Sequence, residues 1–408
     1  MKILVAGDPG SIHTNRFVSL LQEIGYEVRV FQSEYYYSQE EHLKDTVLYV
    51  DNFMSSPANG NIIKVLSPLE MAYFPGFSFL KRCYEYALFK FTGKELLPRL
   101  RHLDMIRLLR GWKPDVVFSL KMQNDGYTVS AARAAMGAAF RSKWVHFSWG
   151  TDIEYFGKHP DCAAEHLPKI RQVLSQCDFH MADTERDVRQ AREFGFNGID
   201  LGSMLAQGGF DLDEMKRLRE TGDVKRNVIL VKGREGGLVG RAFQVLAALT
   251  QIRDVVGEYA IKIIMPTDNV RGVSEFLSRF YGLDIEAMGR LPYSELLSLY
   301  NRSLLAISAS NVDGTPSFLV EAMVMGALPI HSDMESIREW IDDGVNGLLF
   351  PVDDAAACAD CIKRALNDKA LLDSARECNW NIALERMDRS VLREKLRSII
   401  EREIIGNS

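Results

Sequence analysis

The stretch Asp313-Gly-Thr-Pro-Ser-Phe-Leu-Val-Glu321, continuing as Ala-Met-Val-Met-Gly-Ala-Leu-Pro-Ile330, sets two carboxylates eight positions apart across a loop-to-helix junction. Gly314, Thr315 and Pro316 read as the loop, with Thr315 as N-cap and Pro316 at the first helical position, where its missing N–H costs nothing. Phe318, Leu319, Ala322, Met325 and Gly326 recur at helical spacing and predict an apolar stripe, with Glu321 on its flank one turn below Ser317. A carboxylate held there can accept hydrogen bonds from two vicinal sugar hydroxyls, while the helix N-terminus faces an anion. A ribose joined to a diphosphate meets both requirements. The alternative is an ordinary αβ unit whose Glu321 is simply solvated.

Outward from this stretch, short apolar runs alternate with helical patterns along the chain, the signature of parallel α/β sheets. Strands are expected at 3–6, 28–31, 116–119 and 144–147, and a second set at 228–231, 261–265, 304–308, 328–331 and 348–350. Between the sets, residues 208–224 are polar and carry no strand pattern, which puts a boundary between about residues 202 and 222. The fold class expected is α/β, with two Rossmann-like domains facing a central cleft. The division is 1–205, 206–387 and a terminal helical stretch, 388–408.

At 408 residues the chain is too long for one typical core, so two domains are the default. A composition of 47% hydrophobic and 25% charged residues is ordinary for a soluble protein, and the net charge of −6 argues against general nucleic-acid binding. The opening Ile3–Ala6 run is too short for a secretory signal, and no apolar segment reaches membrane-spanning length. Six cysteines suggest reduced thiols in a cytoplasmic protein. Cys358 and Cys361 form a lone C-x-x-C without a second pair, so they read as small residues on a packed helix, and no metal is assigned. Asp211-x-Asp213 opens a predicted helix and reads as cap and favourable charge.

Four further segments carry chemistry. Gly7-Asp-Pro-Gly-Ser-Ile-His-Thr-Asn-Arg-Phe17 follows the first strand, and its glycines offer backbone N–H groups near a helix start. It lacks the G-x-G-x-x-G spacing of a dinucleotide site, which sets an oxidoreductase aside. Trp149-Gly-Thr-Asp-Ile153 follows the 144–147 strand, whose C-terminal end is where open α/β sheets bind ligands. Val228-Ile-Leu-Val-Lys-Gly-Arg-Glu-Gly-Gly-Leu-Val-Gly-Arg241 puts Lys232 at a strand end, and its glycines would let backbone approach a ligand. Arg241 starts the next helix, against the macrodipole, which makes sense if an anion lies between them. Met288-Gly-Arg-Leu-Pro-Tyr293 is a loop before another helix. Each has a plainer reading as a capping loop or surface turn.

In this order the segments resemble the retaining glycosyltransferases of family 4, which have the GT-B fold. The Asp313…Glu321 spacing is similar to that family's Asp/Glu-x7-Glu signature, although many members carry Glu where this chain has Asp313. The resemblance implies that Asp313 lies near the transferred sugar, that Gly314, Thr315, Pro316 and Ser317 help hold the donor, and that Glu321 binds its ribose. Lys232 and Arg241 would grip the diphosphate, with Arg234 competing with Lys232 for the first place. Arg290 and Leu291 would read the nucleobase. Gly10, Ser11 and His13 would contact acceptor or donor phosphate, and Trp149 and Asp152 would serve the acceptor side, with Trp149 where many relatives have His. A metal-free, cofactor-free enzyme follows, using a UDP- or GDP-sugar and a saccharide or lipid-linked acceptor in surface glycan or polysaccharide assembly. In this fold a terminal helix such as 388–408 crosses back onto the first domain.

Residues 81–113 hold nine Lys/Arg against three Asp/Glu, a local net of +6, with aromatic residues interleaved. The wider region 73–113 either lies on an anionic membrane at its cytoplasmic face or is an amphipathic cover for the first sheet. The rival functions are a nucleotide-sugar epimerase on the same fold and a non-catalytic nucleotide-sugar binding module.

Overall fold

The computed structural model describes residues 1–33, 47–50, 62–64, 101–220, 225–237 and 239–406. They form two units. One comprises Met1–Asp183, Asp187–Gly208 and Arg393–Ser408, and the other Thr184–Arg186 and Gly209–Leu392.

The first unit is built on eight parallel strands: β1 (Lys2–Ala6), β2 (Glu27–Phe31), β3 (Val47–Val50), β4 (Ile62–Lys64), β5 (Val116–Leu120), β6 (Lys143–Ser148), β7 (Phe179–Ala182) and β8 (Ile199–Ser203). Their order, β4-β3-β2-β1-β5-β6-β7-β8, runs outward from β1 in one direction and then resumes on its other side at β5. The β1/β5 junction is therefore the topological switch point, where ligands of such sheets bind beyond the strand C-termini. The second unit repeats the plan with six parallel strands: β9 (Val228–Lys232), β12 (Ala260–Ile264), β13 (Ile285–Ala287), β14 (Ser303–Ser308), β15 (Leu328–Ser332) and β16 (Leu348–Phe350). A small antiparallel hairpin, β10 (Glu235–Gly236) with β11 (Gly240–Arg241), follows β9. The order β13-β12-β9-β14-β15-β16 puts this switch point between β9 and β14.

The expected α/β class and all nine predicted strands are present. β7 and β8 carry no clear apolar run, since His180, Asp200 and Gly202 interrupt them; β7 is fully buried, whereas β8 is held by its pairing to β7. Met265 does not extend β12: it stands at φ 50° and 57% exposed, just past the strand. Of residues 73–113, the stretch 73–100 lies outside the described residues. Over Arg101–Trp112 the chain is an amphipathic helix whose Met105, Leu108, Leu109 and Trp112 join the first unit's core. That part covers the sheet, with Arg107 and Arg110 on its exposed face. Among the described residues no helix is long and apolar enough to cross a membrane.

At the end of the chain, Lys395 Nζ donates to the Ser203 carbonyl at 2.8 Å and Arg393 pairs with Glu23 at 3.9 Å, both within the first unit. The C-x-x-C pair sits on the Ala355–Asn367 helix, with Cys358 fully buried. Burial raises both thiols, that of Cys361 to about 11, so neither is a reactive thiolate at neutral pH. Asp211 caps the Leu212–Glu220 helix, its carboxylate accepting from the Glu214 N–H at 3.0 Å.

Candidate functional site

In the second unit, Lys232, Arg241 and Asp313 meet at the β9/β14 switch point. β9 ends at Lys232, whose ammonium donates to Asp313 Oδ2 at 3.4 Å. The two side chains are 14% and 20% exposed, so the pair is shielded but reachable from solvent. Asp313 is held from behind: its carbonyl accepts from Arg186 Nη1 at 3.0 Å and from Ser336 Oγ at 2.8 Å. Its own Oδ1 accepts from the Gly314 N–H at 3.0 Å, which closes the loop tightly before the helix.

Two of the glycines after Lys232, Gly233 and Gly240, are required by the chain's own packing. A Cβ at Gly233 would lie 2.4 Å from Ile263 Cγ2, and one at Gly240 would lie 2.2 Å from the Arg234 carbonyl oxygen. These positions let the hairpin fold back over the strand ends, where the Arg241 N–H donates to the Ala309 carbonyl at 3.1 Å. Arg241 is the N-cap of the Ala242–Gln251 helix, and its guanidinium donates to the Gly240 carbonyl at 2.7 Å and has a loose ionic partner in Asp353 at 4.0 Å. Lys232 and Arg241 thus bring two cations to the ends of β9 and β14. Arg234 is exposed and contributes its carbonyl, which accepts from the Ala242 N–H at 3.3 Å.

The helix after Asp313 runs from Ser317 to Met325, and its N-cap is Pro316, one residue later than expected. Thr315 does not cap it. Its hydroxyl accepts from Trp340 Nε1 at 3.1 Å and pins the loop to a neighbouring element. Phe318 to Met325 are buried on every side, so the predicted stripe is a helix sunk wholly in the unit. Glu321 is 6% exposed, which removes the solvated reading. Burial first, and then the charge of Glu321 beside it, raise the Tyr300 phenol well above its usual range. Glu321 has partners within the structure, the neighbouring Tyr300 phenol among the groups that feel its charge, and a ribose diol is one chemistry from which such a carboxylate can accept further hydrogen bonds.

Three arginines stabilise the far end of this helix. Arg226 Nη2 donates to the Met325 carbonyl at 2.9 Å, Arg219 Nη1 to Val324 at 3.0 Å and Arg376 Nε to Gly326 at 3.3 Å. Cations there satisfy orphan carbonyls and complement the macrodipole. Gly326, at φ 79°, turns the chain out of the helix. Arg186, Ser336, Trp340 and the arginine triad gave no sequence signal, since each sits in an unremarkable polar or apolar run far from the motif.

His331, also missed, extends a row across the sheet. The register pairs Ser308 with His331 and Ile307 with Val231, so Lys232, Ser308 and His331 stand side by side on one face. Burial holds the imidazole neutral, its pKa lowered to about 4. Arg290 and Leu291 lie in the loop after β13, with β12 between that edge strand and β9. Arg290 is exposed and Leu291 half-buried, and the loop hangs from the sheet by the Met288 N–H to the Ile263 carbonyl at 2.8 Å.

In the first unit the predicted loops also meet at strand C-termini. The loop after β1 is folded by Asp8, whose carboxylate accepts from the Gly10 N–H at 2.9 Å, and Ser11 is the N-cap of the Ile12–Ile24 helix. His13, in the first turn, sets its ring edge-to-face with Trp149 at 5.5 Å. Asp152 turns inward. It is 2% exposed, and its Oδ2 accepts from the Trp149 N–H at 2.8 Å and the Met122 N–H at 2.9 Å. It therefore ties the loop after β6 to the segment after β5, where Lys121 and Asn124 adopt positive φ of 73° and 61°. Burial raises its pKa to about 7 against the opposing effect of those N–H donors. His146 is structural: wholly buried, bonded through Nδ1 to Ser119 Oγ at 2.9 Å, and held neutral with its pKa lowered to about 3.

Residues 250–381 match the family described as Glycosyl transferases group 1. No curated protein matches the chain in sequence. The fold is similar to that of sucrose-phosphate synthase from Thermosynechococcus elongatus, with a TM-score of 0.70 at 14% identity over 100% of both chains. It is likewise similar to Anabaena HepE, solved in complex with UDP-glucose, with a TM-score of 0.67 at 14% identity over 100% of both. A putative UDP-N-acetylglucosamine 2-epimerase from Listeria monocytogenes shares it at a TM-score of 0.62 and 13% identity, over 99% of this chain and 97% of that one. The chain thus has the GT-B fold, and its residues 250–381 match the group 1 glycosyltransferase family.

Proposed function

We propose that this protein transfers a sugar from a nucleotide-diphosphate donor to a saccharide or lipid-linked acceptor, with retention of configuration, in glycan or polysaccharide assembly. The observation that carries this is the Lys232–Asp313 pair at 3.4 Å, set at the second sheet's switch point directly before the helix bearing buried Glu321. Lys232 and Arg241 take the diphosphate, Glu321 takes the ribose diol, and Ser317 and the Gly314–Pro316 backbone line the donor. When the diphosphate arrives, it replaces Asp313 as the partner of Lys232 and leaves that carboxylate beside the sugar. As the glycosidic bond breaks, negative charge grows on the departing diphosphate. Cations already in place stabilise that charge more in the transition state than in the ground state. The acceptor hydroxyl attacks the sugar carbon from the same face within the ion pair and passes its proton to the departing diphosphate, so no protein nucleophile is assigned.

Lys232 is favoured over Arg234 as the first diphosphate ligand because it stands at the switch point with a charged partner, while Arg234 points outward. Arg290 and Leu291 are assigned to the nucleobase, and Gly10, Ser11, His13 and Trp149 to the acceptor side. Asp152 supports Trp149 from below rather than touching substrate. HepE was solved with UDP-glucose, which supports a UDP-sugar ahead of a GDP-sugar. Work at the cytoplasmic face of a membrane is part of the same reading, through the basic region 73–113.

Calorimetric titration with UDP-, GDP- and ADP-sugars tests the reading. One nucleotide sugar binds, and Glu321→Ala weakens it by about 1–3 kcal/mol through orphaned hydroxyl hydrogen bonds. Binding of none sinks the proposal, and equal binding to the variant removes Glu321 from the ribose site. The Listeria neighbour keeps epimerisation as the second reading. Product formed from donor without any acceptor would decide for it.

A further inference from the structure

We propose that the outer face of the Asp268–Tyr281 helix is a contact surface for a second copy of this chain. The inner face of the helix is accounted for: Val270, Ser274 and Leu277 are buried against the second sheet's core. The outer face is not what a solvated helix shows. Phe276, Phe280 and Tyr281 are 51%, 64% and 45% exposed. Their rings touch, with centroids 4.7 Å apart for Phe276 and Phe280 and 6.2 Å for Phe276 and Tyr281. A contiguous aromatic patch of this kind marks an interaction site, whereas single exposed apolar residues need no explanation.

Two independent features say what covers it. Gly272 lies one turn before Phe276 on the same stripe, inside the helix, where glycine is unfavourable. A Cβ there would meet nothing within 4 Å, so nothing in the monomer requires it. Glycine at that place becomes intelligible if another helix approaches closely. The second feature is charge. Glu275 and Arg279 flank the phenyl rings, and among the described residues Glu275 has no ion-pair or hydrogen-bond partner. Arg279 rests over the Phe280 ring at 5.6 Å and, among the described residues, pairs with no carboxylate.

The helix carries two acids and two bases, Asp268, Glu275, Arg271 and Arg279. An anionic lipid surface would call for a basic excess, which is lacking. A second copy fits instead. Antiparallel packing about a two-fold axis that crosses the outer face between Phe276 and Arg279 sets the phenyl rings of one helix against those of the other. It also brings Glu275 of each copy towards Arg279 of the other. Such an isologous contact is self-complementary because each copy supplies both signs.

Sedimentation equilibrium from about 1 to about 200 µM tests this, a range that spans weak to moderate association. The full chain is expected to dimerise reversibly, and Phe276→Ser with Phe280→Ser to raise the dissociation constant at least about tenfold. Glu275→Arg and Arg279→Glu each weaken the dimer, and the two combined restore it because the swapped charges meet again across the axis. Gly272→Leu, which has room in the monomer and removes an unfavourable mid-helix glycine, raises or keeps the melting temperature but weakens association. A wild-type chain that stays monomeric over this range overturns the proposal. So does a dimer unaffected by the phenylalanine or glycine variants. Binding of the monomer to anionic phosphatidylserine vesicles, abolished by the phenylalanine pair, would overturn it in favour of a membrane.

Discussion

The two switch points hold their carboxylates in opposite ways. In the second unit Asp313 faces Lys232 in a pair 14% and 20% exposed, a partnership that an arriving anion can exchange. In the first unit Asp152 is 2% exposed and spends one oxygen on two backbone N–H groups. The same residue type, after β14 in one unit and after β6, next to β5, in the other, keeps an exchangeable ionic partner in one place and pins two loops together in the other. Burial and partner chemistry separate the roles: an ammonium on a flexible stem can move to a phosphate, but main-chain donors cannot.

Removing a charge from each side sharpens that contrast. The largest effect is expected on activity from Lys232→Ala, which should lower transfer turnover by about 10²-fold or more, in the range of losing a preorganised donor to the leaving group. Its unfolding free energy should change little. A large stability loss with turnover unchanged would reverse the assignment. Asp152→Ala should do the opposite. Two buried N–H groups lose their acceptor, so urea denaturation should show a loss of about 2–4 kcal/mol. If the midpoint does not move, Asp152 is not the pin described.

The smallest effect is on pH dependence. The Asp152 pKa is raised to about 7 in the folded chain, against an unperturbed 3.8. Between those values the native state holds a proton that the unfolded state releases, so this group's contribution to stability falls as pH rises from about 4 to about 7. Asp152→Asn keeps an acceptor for both N–H groups and cannot ionise. Its stability relative to wild type should therefore rise across that window, by at least about 1 kcal/mol. Parallel denaturation profiles for the two proteins would show that Asp152 does not titrate there.

The motifs were legible because each combines a strand end, a turn and a helix start, which local chemistry encodes within about ten residues. Asp313, Glu321, Lys232 and Arg241 could be read that way, and the chain folds them into one unit as the pattern required. Arg186 could not. It lies in a polar run that reads as an ordinary helix start, 127 residues from the carbonyl it fixes. The same is true of Trp340, whose indole N–H donates to the Thr315 hydroxyl expected as a helix cap.

Sequence alone determined the period of the chain: parallel strands alternating with helices, restarted once, with acids and bases at the C-terminal ends where such sheets bind ligands. Those features depend on neighbours along the chain. Which carboxylate stays available and which is locked away, which glycine serves packing rather than a ligand, and which cation stands inside were decided only by tertiary structure. Burial and long-range hydrogen bonds set those properties, and both depend on residues brought together by the sheet order.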